Sequence, residues 1–290
     1  MVQGPFFKRI YLEITNVCNQ NCPFCPQTSR KAQFLSLGDF ELILATLQGH
    51  TKHLYFHVLG EPLLHPELPQ FLNRAKTQGY LVNLVTNGSL IEEVGPSLLT
   101  QPALRQVSFS LHSLAHQGKA VTKERLNQIL KFVDQAAQNT SMYCSLRLWT
   151  GGIEENQVVI EELTRHFDLG FDLSAQLAEN QGRGITLRER IFLNPAEEFA
   201  WPSLDAPLQP GRAYCHGLQQ QLAVLVDGTI VPCCLDGEGV IALGNIYEQD
   251  LQEIFFSSRA QDIIYGFRQG VAVEELCHRC GYRTRFTKMA

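Results

Sequence analysis

Cys18, Cys22 and Cys25 form a C-x3-C-x2-C run just after a strand-like segment. Three thiolates on one short loop can hold three corners of a small metal centre. A cubane iron–sulfur cluster has four irons and is normally held by four cysteines. Three protein ligands leave one iron open, and an open metal position is where an exogenous ligand binds. Two other readings stand beside this one. Cys22-Pro23-Phe24-Cys25 alone has thioredoxin-type C-x-x-C spacing. That motif wants a helix N-terminus at once to lower the thiol pKa, and Gln27 to Leu37 shows no helical pattern. A structural zinc knuckle would take its fourth ligand from elsewhere in the chain.

Cys215, Cys233, Cys277 and Cys280 form a second constellation, C-x12-G-x4-C followed after a long gap by C-x2-C. The intervening LAVLVDGTIVPC is two apolar runs joined by Asp227-Gly228, which predicts a hairpin with a type I′ turn. Cys233 then ends the returning strand, and a hairpin end facing a C-x-x-C loop can close a four-thiolate site. Spacing alone does not separate a zinc site from an iron–sulfur cluster. Cys234 adjoins Cys233, and neighbours on a strand point to opposite faces. Only one of the pair ligates without distortion, and the G-x4-C count favours Cys233. Cys144, within a strand, reads as a buried core thiol.

The elements that must position these residues follow a clear alternation. Lys8 to Thr15, Lys52 to Leu59, Tyr80 to Thr86, Leu104 to Leu111 and Met142 to Trp149 read as strands. Helical stretches fall between them at Phe40 to Leu47, Pro66 to Thr77, Glu92 to Leu99, Val121 to Gln138 and Glu154 to Phe167. Pro66 suits a first helical position. Phe171 to Leu177 and Ile185 to Phe192 read as further strands. Repeated strand–helix units imply parallel strands with right-handed crossovers, in an open sheet or a barrel. Either gathers its ligands at the carboxyl ends of the strands. From Asp205 the texture changes to a proline- and glycine-rich linker, the hairpin, and helices at Asp250 to Phe256 and Arg259 to Phe267. Five of the nine cysteines lie beyond Asp205.

Composition bounds the function classes. The chain has 290 residues, 44% of them hydrophobic, enough for a sizeable core. Lys plus Arg number 24 and Asp plus Glu 29, a net charge of −5, which argues against a broadly basic nucleic-acid binder. No run approaches the length of a membrane span, and the first residues show no secretory signal. Nine cysteines in such a chain point to metal or redox chemistry in a reducing compartment, hence a cytoplasmic protein, rather than to disulfides.

The triad after the first strand, with Phe24 before its last cysteine, resembles the radical S-adenosylmethionine (SAM) superfamily. Gly60-Glu61-Pro62, after the second strand, looks like that family's glycine–glutamate–proline motif, although Leu59 stands where many members carry another glycine. The resemblance extends over essentially the whole chain. It implies an α/β fold, a partial (β/α)6-type parallel barrel, with a small C-terminal cysteine-rich α+β extension similar to the SPASM or twitch domain. It places the core at 1–204 and the extension at 205–290. It implies a [4Fe–4S] cluster with one open iron on the catalytic Cys18, Cys22 and Cys25, which binds SAM. Glu61 would meet the SAM amino group, Ser110 its ribose and Arg147 its carboxylate. One auxiliary [4Fe–4S] cluster would sit on Cys215, Cys233, Cys277 and Cys280.

The implied activity is reductive cleavage of SAM to a 5′-deoxyadenosyl radical that abstracts hydrogen. The implied partners are a substrate and a one-electron reductant such as flavodoxin or ferredoxin. The substrate expected first is a peptide or protein, and second a small molecule such as a sugar or antibiotic precursor. The segment before Lys8 is expected to leave no room for the leader-binding domain of some peptide-modifying relatives. The rival of another class is a non-enzymatic electron carrier or a zinc-stabilised interaction protein, which needs only closed metal sites. His53, His57, His65 and His112 read as structural. Arg283 and Arg285 read as surface residues or as sensors of an auxiliary cluster's negative charge.

Overall fold

The structure is a computed structural model that describes residues 6–114, 118–151, 156–179 and 183–287. In chain order the elements are β1 (Arg9–Leu12), α1 (Leu37–Thr46), β2 (His53–Phe56), α2 (Leu68–Thr77), β3 (Leu81–Thr86), α3 (Ile91–Leu98), β4 (Leu104–Ser110), α4 (Lys119–Asn139), β5 (Tyr143–Trp149), α5 (Gln157–Phe167), α6 (Leu173–Glu179), β6 (Ile185–Arg188) and β7 (Ile191–Ala196). After an irregular stretch come β8 (Gln221–Val224), β9 (Thr229–Val231), β10 (Gly244–Asn245), α7 (Leu251–Phe256), α8 (Ser258–Arg268), α9 (Glu275–His278) and α10 (Thr284–Thr287). Among the described residues no helix is long and apolar enough to cross a membrane.

The chain forms two compact units. One comprises Met1–Gly60, Arg74–Leu81 and Phe199–Ala290, the other Glu61–Asn73 and Val82–Glu198. In the first, the strand order is β10-β9-β8-β1-β2. β1 lies parallel to both β2 and β8, while β8–β9 and β9–β10 are antiparallel. Ser36 caps α1 by accepting from the Asp39 N–H at 3.1 Å, and this ends the long loop after β1. Phe40 of α1 meets Phe56 of β2 edge-on, with ring centroids 5.9 Å apart.

The β8–β9 hairpin departs from the expected type I′ turn. Leu225 pairs with Thr229, and the Gly228 N–H donates to the Leu225 carbonyl at 2.9 Å. The loop is therefore the three residues Val226, Asp227 and Gly228, with only Gly228 required at positive φ (86°). A type I turn followed by a left-handed glycine meets the same strand twist with one more residue.

In the second unit the order is β3-β4-β5-β7-β6. β3, β4, β5 and β7 are parallel, and β6 runs antiparallel to β7. Alternation gives this sheet two faces. Val107, Phe109, Cys144, Leu146, Leu148 and Leu193 share one and are at most 1% exposed. Phe132 of α4 packs edge-on against Phe109 at 5.8 Å. The α4 residues Leu126, Ile129, Leu130 and Val133 are buried at the expected helical spacing. Cys144 is the buried core thiol expected, pushed up to about 12 by burial.

Two expected elements differ. The run Phe171 to Leu177 leads into α6, which starts at Leu173, and is not a strand, because Asp172 accepts from the Ser174 and Ala175 N–H groups at 2.8 and 3.1 Å and so opens a helix. The helix expected from Pro66 starts at Leu68, with Pro69 in its first turn, after a separate 3-10 turn at Pro62–Leu64. Of the helix expected from Glu154, residues Glu154 and Glu155 lie outside the described residues, and α5 is described from Gln157.

Candidate active site

The loop bearing the N-terminal triad is closed at its neck by side chains just past β1. Thr15 Oγ1 donates to the Gln33 carbonyl at 2.8 Å, and Asn16 Nδ2 donates to the Lys31 carbonyl at 2.8 Å. Asn16 Oδ1 accepts from the Gln33 N–H at 2.8 Å, and a bridge joins Thr15 to Phe34. The cysteine-bearing segment is thus a tied-off loop, with no helix before Leu37. The thioredoxin reading lacks its helix N-terminus. Deeper down, Arg30 Nη2 donates to both Glu13 oxygens at 2.7 and 2.8 Å, and Glu13 also accepts from the Val226 N–H at 3.0 Å. That brace ties the loop to β1 and to the C-terminal hairpin. Its signal in the sequence, an acid and a base 17 residues apart, is too weak to read in advance.

All nine cysteines are thiols. Cys18 is exposed, Cys22 and Cys25 are half-buried, and the Cys25 N–H donates to the Cys22 carbonyl at 3.1 Å. Burial first, then Cys18 and Cys22, push Cys25 up to about 11; burial and then Cys18 raise Cys22. Cys18 opposes ionisation of Cys22 and of Cys25, so the three sulfurs share one neighbourhood. A cationic iron centre removes that opposition, and its binding releases the thiol protons. The donor set fits a cluster with three protein ligands.

Gly60 is the hinge of the turn after β2. Its φ is 74°, and a Cβ there would sit 2.3 Å from the Thr15 carbonyl oxygen at the neck of the cysteine loop. Both features exclude a side chain. Gly60→Ala is expected to lower stability by about 1–3 kcal/mol from backbone strain alone, with the clash adding to it. A urea unfolding midpoint indistinguishable from the parent's would refute this.

Glu61, in the other unit, is 1% exposed and caps the Pro62–Leu64 turn. Oε1 accepts from the Leu63 N–H at 2.9 Å and from Thr86 Oγ1 at 2.7 Å; Oε2 accepts from the Asn87 N–H at 2.7 Å. Burial raises its pKa, and these three bonds oppose the shift. Such a carboxylate is held rigidly, and none of the described ion pairs includes it. The holders, Thr86 and Asn87 at the end of β3, escaped sequence reasoning; a Thr-Asn-Gly at a strand end was the only hint. Ser110 ends β4, and register places it beside Arg147 of β5, which in turn pairs with Asn194 of β7. Ser108 and Ser145 form the pair two residues earlier, on the same face, and Asn194 Nδ2 donates to Ser145 Oγ at 2.7 Å. His112 is 8% exposed and stacks on Trp149 with centroids 4.2 Å apart.

In the C-terminal part, Cys233 follows β9, Cys277 lies in α9 and Cys280 just after it. Cys233 is raised by burial, then by Cys234, Cys215, Cys280 and Cys277, so the structure gathers Cys215, Cys233, Cys277 and Cys280 in one neighbourhood. Burial pushes Cys215 up to about 11 and also raises Cys277 and Cys280. The Gly217 N–H donates to Cys215 Sγ at 3.4 Å. Cys234 instead packs on the apolar cluster of Tyr11, Val58, Leu59, Ala223, Leu225 and Val231, where Cys25 and Tyr55 also lie. Four gathered thiols and donated N–H groups fit a fully cysteine-ligated cluster. Among the described residues no three His, Cys, Asp or Glu side chains close round a single metal ion.

The family model described as the radical SAM superfamily matches residues 12–165, and that of the SPASM iron–sulfur cluster-binding domain matches 215–281. The tungsten-containing aldehyde ferredoxin oxidoreductase cofactor-modifying protein of Pyrococcus furiosus is 26% identical over 87% of this chain and 82% of its own. The PqqA peptide cyclase of Streptomyces rochei is 23% identical over 94% of this chain and 81% of its own. Among solved structures, Streptococcus suis SuiB bound to its precursor peptide SuiA superposes with a TM-score of 0.61 at 17% identity, covering 95% of this chain and 71% of that one. That likeness shows the fold: an α/β core of parallel strand–helix repeats with a cysteine-rich C-terminal region.

Proposed function

The chain belongs to the radical SAM superfamily and carries an SPASM iron–sulfur domain, and from that premise we propose that it removes a hydrogen atom from a peptide or protein substrate. As an enzyme of this family it uses a [4Fe–4S] cluster and SAM, with auxiliary iron–sulfur in the SPASM domain. Together the N-terminal cluster and SAM supply the hard step: one electron cleaves the S–C5′ bond, giving methionine and a 5′-deoxyadenosyl radical that takes the hydrogen atom. The protein's share is to bind, orient and shield.

In this reading Cys18, Cys22 and Cys25 hold the N-terminal cluster and leave one iron for SAM. Phe24, just before the last cysteine, belongs to the cofactor-binding loop, and Gly60 and Pro62 fix the turn that presents Glu61. Glu61 accepts from the SAM ammonium in a charge-assisted bond. Arg147 pairs with its carboxylate, and Ser110 meets the ribose. Cys215, Cys233, Cys277 and Cys280 hold one auxiliary [4Fe–4S] cluster. The observation that carries the reading is the tied-off loop that gathers three thiols, with Cys18 and Cys22 opposing ionisation of Cys25, within the matched region. The electron comes from a flavodoxin or ferredoxin, and the enzyme works as a cytoplasmic oxidoreductase.

The likeness to a peptide cyclase over 94% of this chain supports the peptide class. The similarity to a cofactor-modifying protein supports the second reading, a small-molecule substrate. Deuterium tracing separates them. Reconstituted enzyme is given dithionite, SAM and either a perdeuterated peptide pool or a perdeuterated small-metabolite pool. Deuterium in 5′-deoxyadenosine from the peptide pool alone is expected; deuterium from the metabolite pool alone would overturn the peptide assignment. Replacing Cys277 and Cys280 by alanine is expected to spare uncoupled 5′-deoxyadenosine release yet abolish substrate turnover. Equal loss of both activities in a folded variant would contradict this division of labour.

A further inference from the structure

Arg283 closes the 3-10 turn Gly281–Arg283, three residues after Cys280, and is 4% exposed. Its Nη1 donates to the Arg212 carbonyl at 3.0 Å and to the Gly211 carbonyl at 3.3 Å, and its Nη2 donates to the Gln209 carbonyl. Nε is buried without a hydrogen-bond partner among the described residues. None of the described ion pairs includes Arg283.

A guanidinium cannot shed its proton in a protein. Burying one without a counter-charge is heavily penalised. The three carbonyls accept from its Nη groups but do not neutralise it. The thiols on the two segments that this side chain joins are those of Cys215 and Cys280. The Tyr282 and Arg283 backbone N–H groups donate to Cys280. The carbonyls it grips, at 209–212, lead directly into Cys215. One side chain thus joins the segments that bear two of the four thiols.

Four thiolates around a [4Fe–4S] core are net negative, and reduction adds one more negative charge. A fixed buried cation beside them stabilises the reduced form more than the oxidised one. We propose that Arg283 is the counter-charge of the auxiliary cluster, a positioning residue that raises its reduction potential, a role resting on Cys215, Cys233, Cys277 and Cys280 being that cluster's ligands. Arg285 is placed differently: it stacks over Phe199 and Tyr282, at 5.2 and 4.7 Å from their centroids.

The test uses the full chain with Cys18, Cys22 and Cys25 replaced by alanine, so that the auxiliary cluster is read alone. After anaerobic reconstitution its midpoint potential is followed by electron paramagnetic resonance during a redox titration. Arg283→Gln is expected to move the potential to more negative values. Arg283→Lys keeps the charge and loses the fork to the carbonyls, so it is expected to stay near the parent. A Gln variant at the parent's potential, or a Lys variant shifted as far as the Gln one, overturns the proposal. Should the Gln variant fail to take up iron, the Lys variant decides alone: a parent-like potential supports the counter-charge, and loss of the cluster overturns it. A parent that binds zinc, or no iron, overturns the ligand assignment itself and is distinguished by metal analysis before any titration.

Discussion

Alanine at Cys18, Cys22 and Cys25 together is expected to bring 5′-deoxyadenosine release below detection while leaving the fold in place. The loop's neck does not depend on the cysteines: Thr15 and Asn16 bond to Gln33 and Lys31 through their own side chains, and the Glu13–Arg30 brace lies outside the triad. Two of the thiols are half-buried and one exposed, so truncating them leaves no large cavity. Bound iron is expected to fall by about four atoms per chain, the content of one cubane cluster. The auxiliary cluster's signal is expected to remain. Chromatographic assay of 5′-deoxyadenosine, iron analysis and circular dichroism read the three parts separately. Continued SAM cleavage in a folded triple variant would refute the assignment of the triad, because no other described loop offers three thiols with an open fourth corner.

Glu61→Gln is expected to weaken SAM binding by roughly 10- to 100-fold, the equivalent of one charge-assisted hydrogen bond. The substitution keeps the size of the side chain and removes its charge. The amide oxygen can still accept from Leu63 and Thr86, but the amide nitrogen then meets the Asn87 N–H, donor against donor. That mismatch costs about 1–3 kcal/mol. Against it stands the relief of a buried charge. Because burial raises the carboxyl pKa of Glu61, the native state holds that proton more tightly than the unfolded chain does. Its contribution to stability is therefore full below the unfolded pKa and is lost as pH rises through the folded value. Above its folded pKa the ionised carboxylate is a cost to the SAM-free protein, and the SAM ammonium offsets it. The variant's own stability is expected to change little, while its SAM affinity drops. Calorimetric titration of SAM into reconstituted protein, beside urea unfolding without SAM, tests both halves. Parent-like SAM affinity would remove Glu61 from the SAM contacts.

The features legible in the chain are those whose physics is local. Strands and helices declared themselves because burial imposes a period of two or of 3.6 on neighbouring residues, as along Leu126, Ile129, Leu130 and Val133. The triad and its family resemblance were readable because ligands on one loop must sit at short fixed spacing. The errors arose where a short-range signal was overlooked or ambiguous. Asp172 is a helix cap at the head of an apolar heptapeptide that alternates like a strand. Asp-Gly serves a three-residue hairpin as readily as a two-residue one, and the pairing of Leu225 with Thr229 decides between them.

Spacing alone therefore determined the chemistry available to this chain: a three-thiol loop after the first strand, a Gly-Glu-Pro turn after the second, and four further cysteines behind a hairpin. Tertiary structure alone decided what surrounds those groups. It supplied Thr86 and Asn87 to hold Glu61 from 25 residues away, set Ser110 beside Arg147 through strand register, and turned Cys234 toward Tyr11 while Cys233 joined the other three thiols. It also buried Arg283 against the carbonyls of a linker some 70 residues earlier. The physical reason is that identity and spacing are properties of the covalent chain, whereas burial, charge compensation and hydrogen-bond satisfaction depend on which distant segments share a volume after folding.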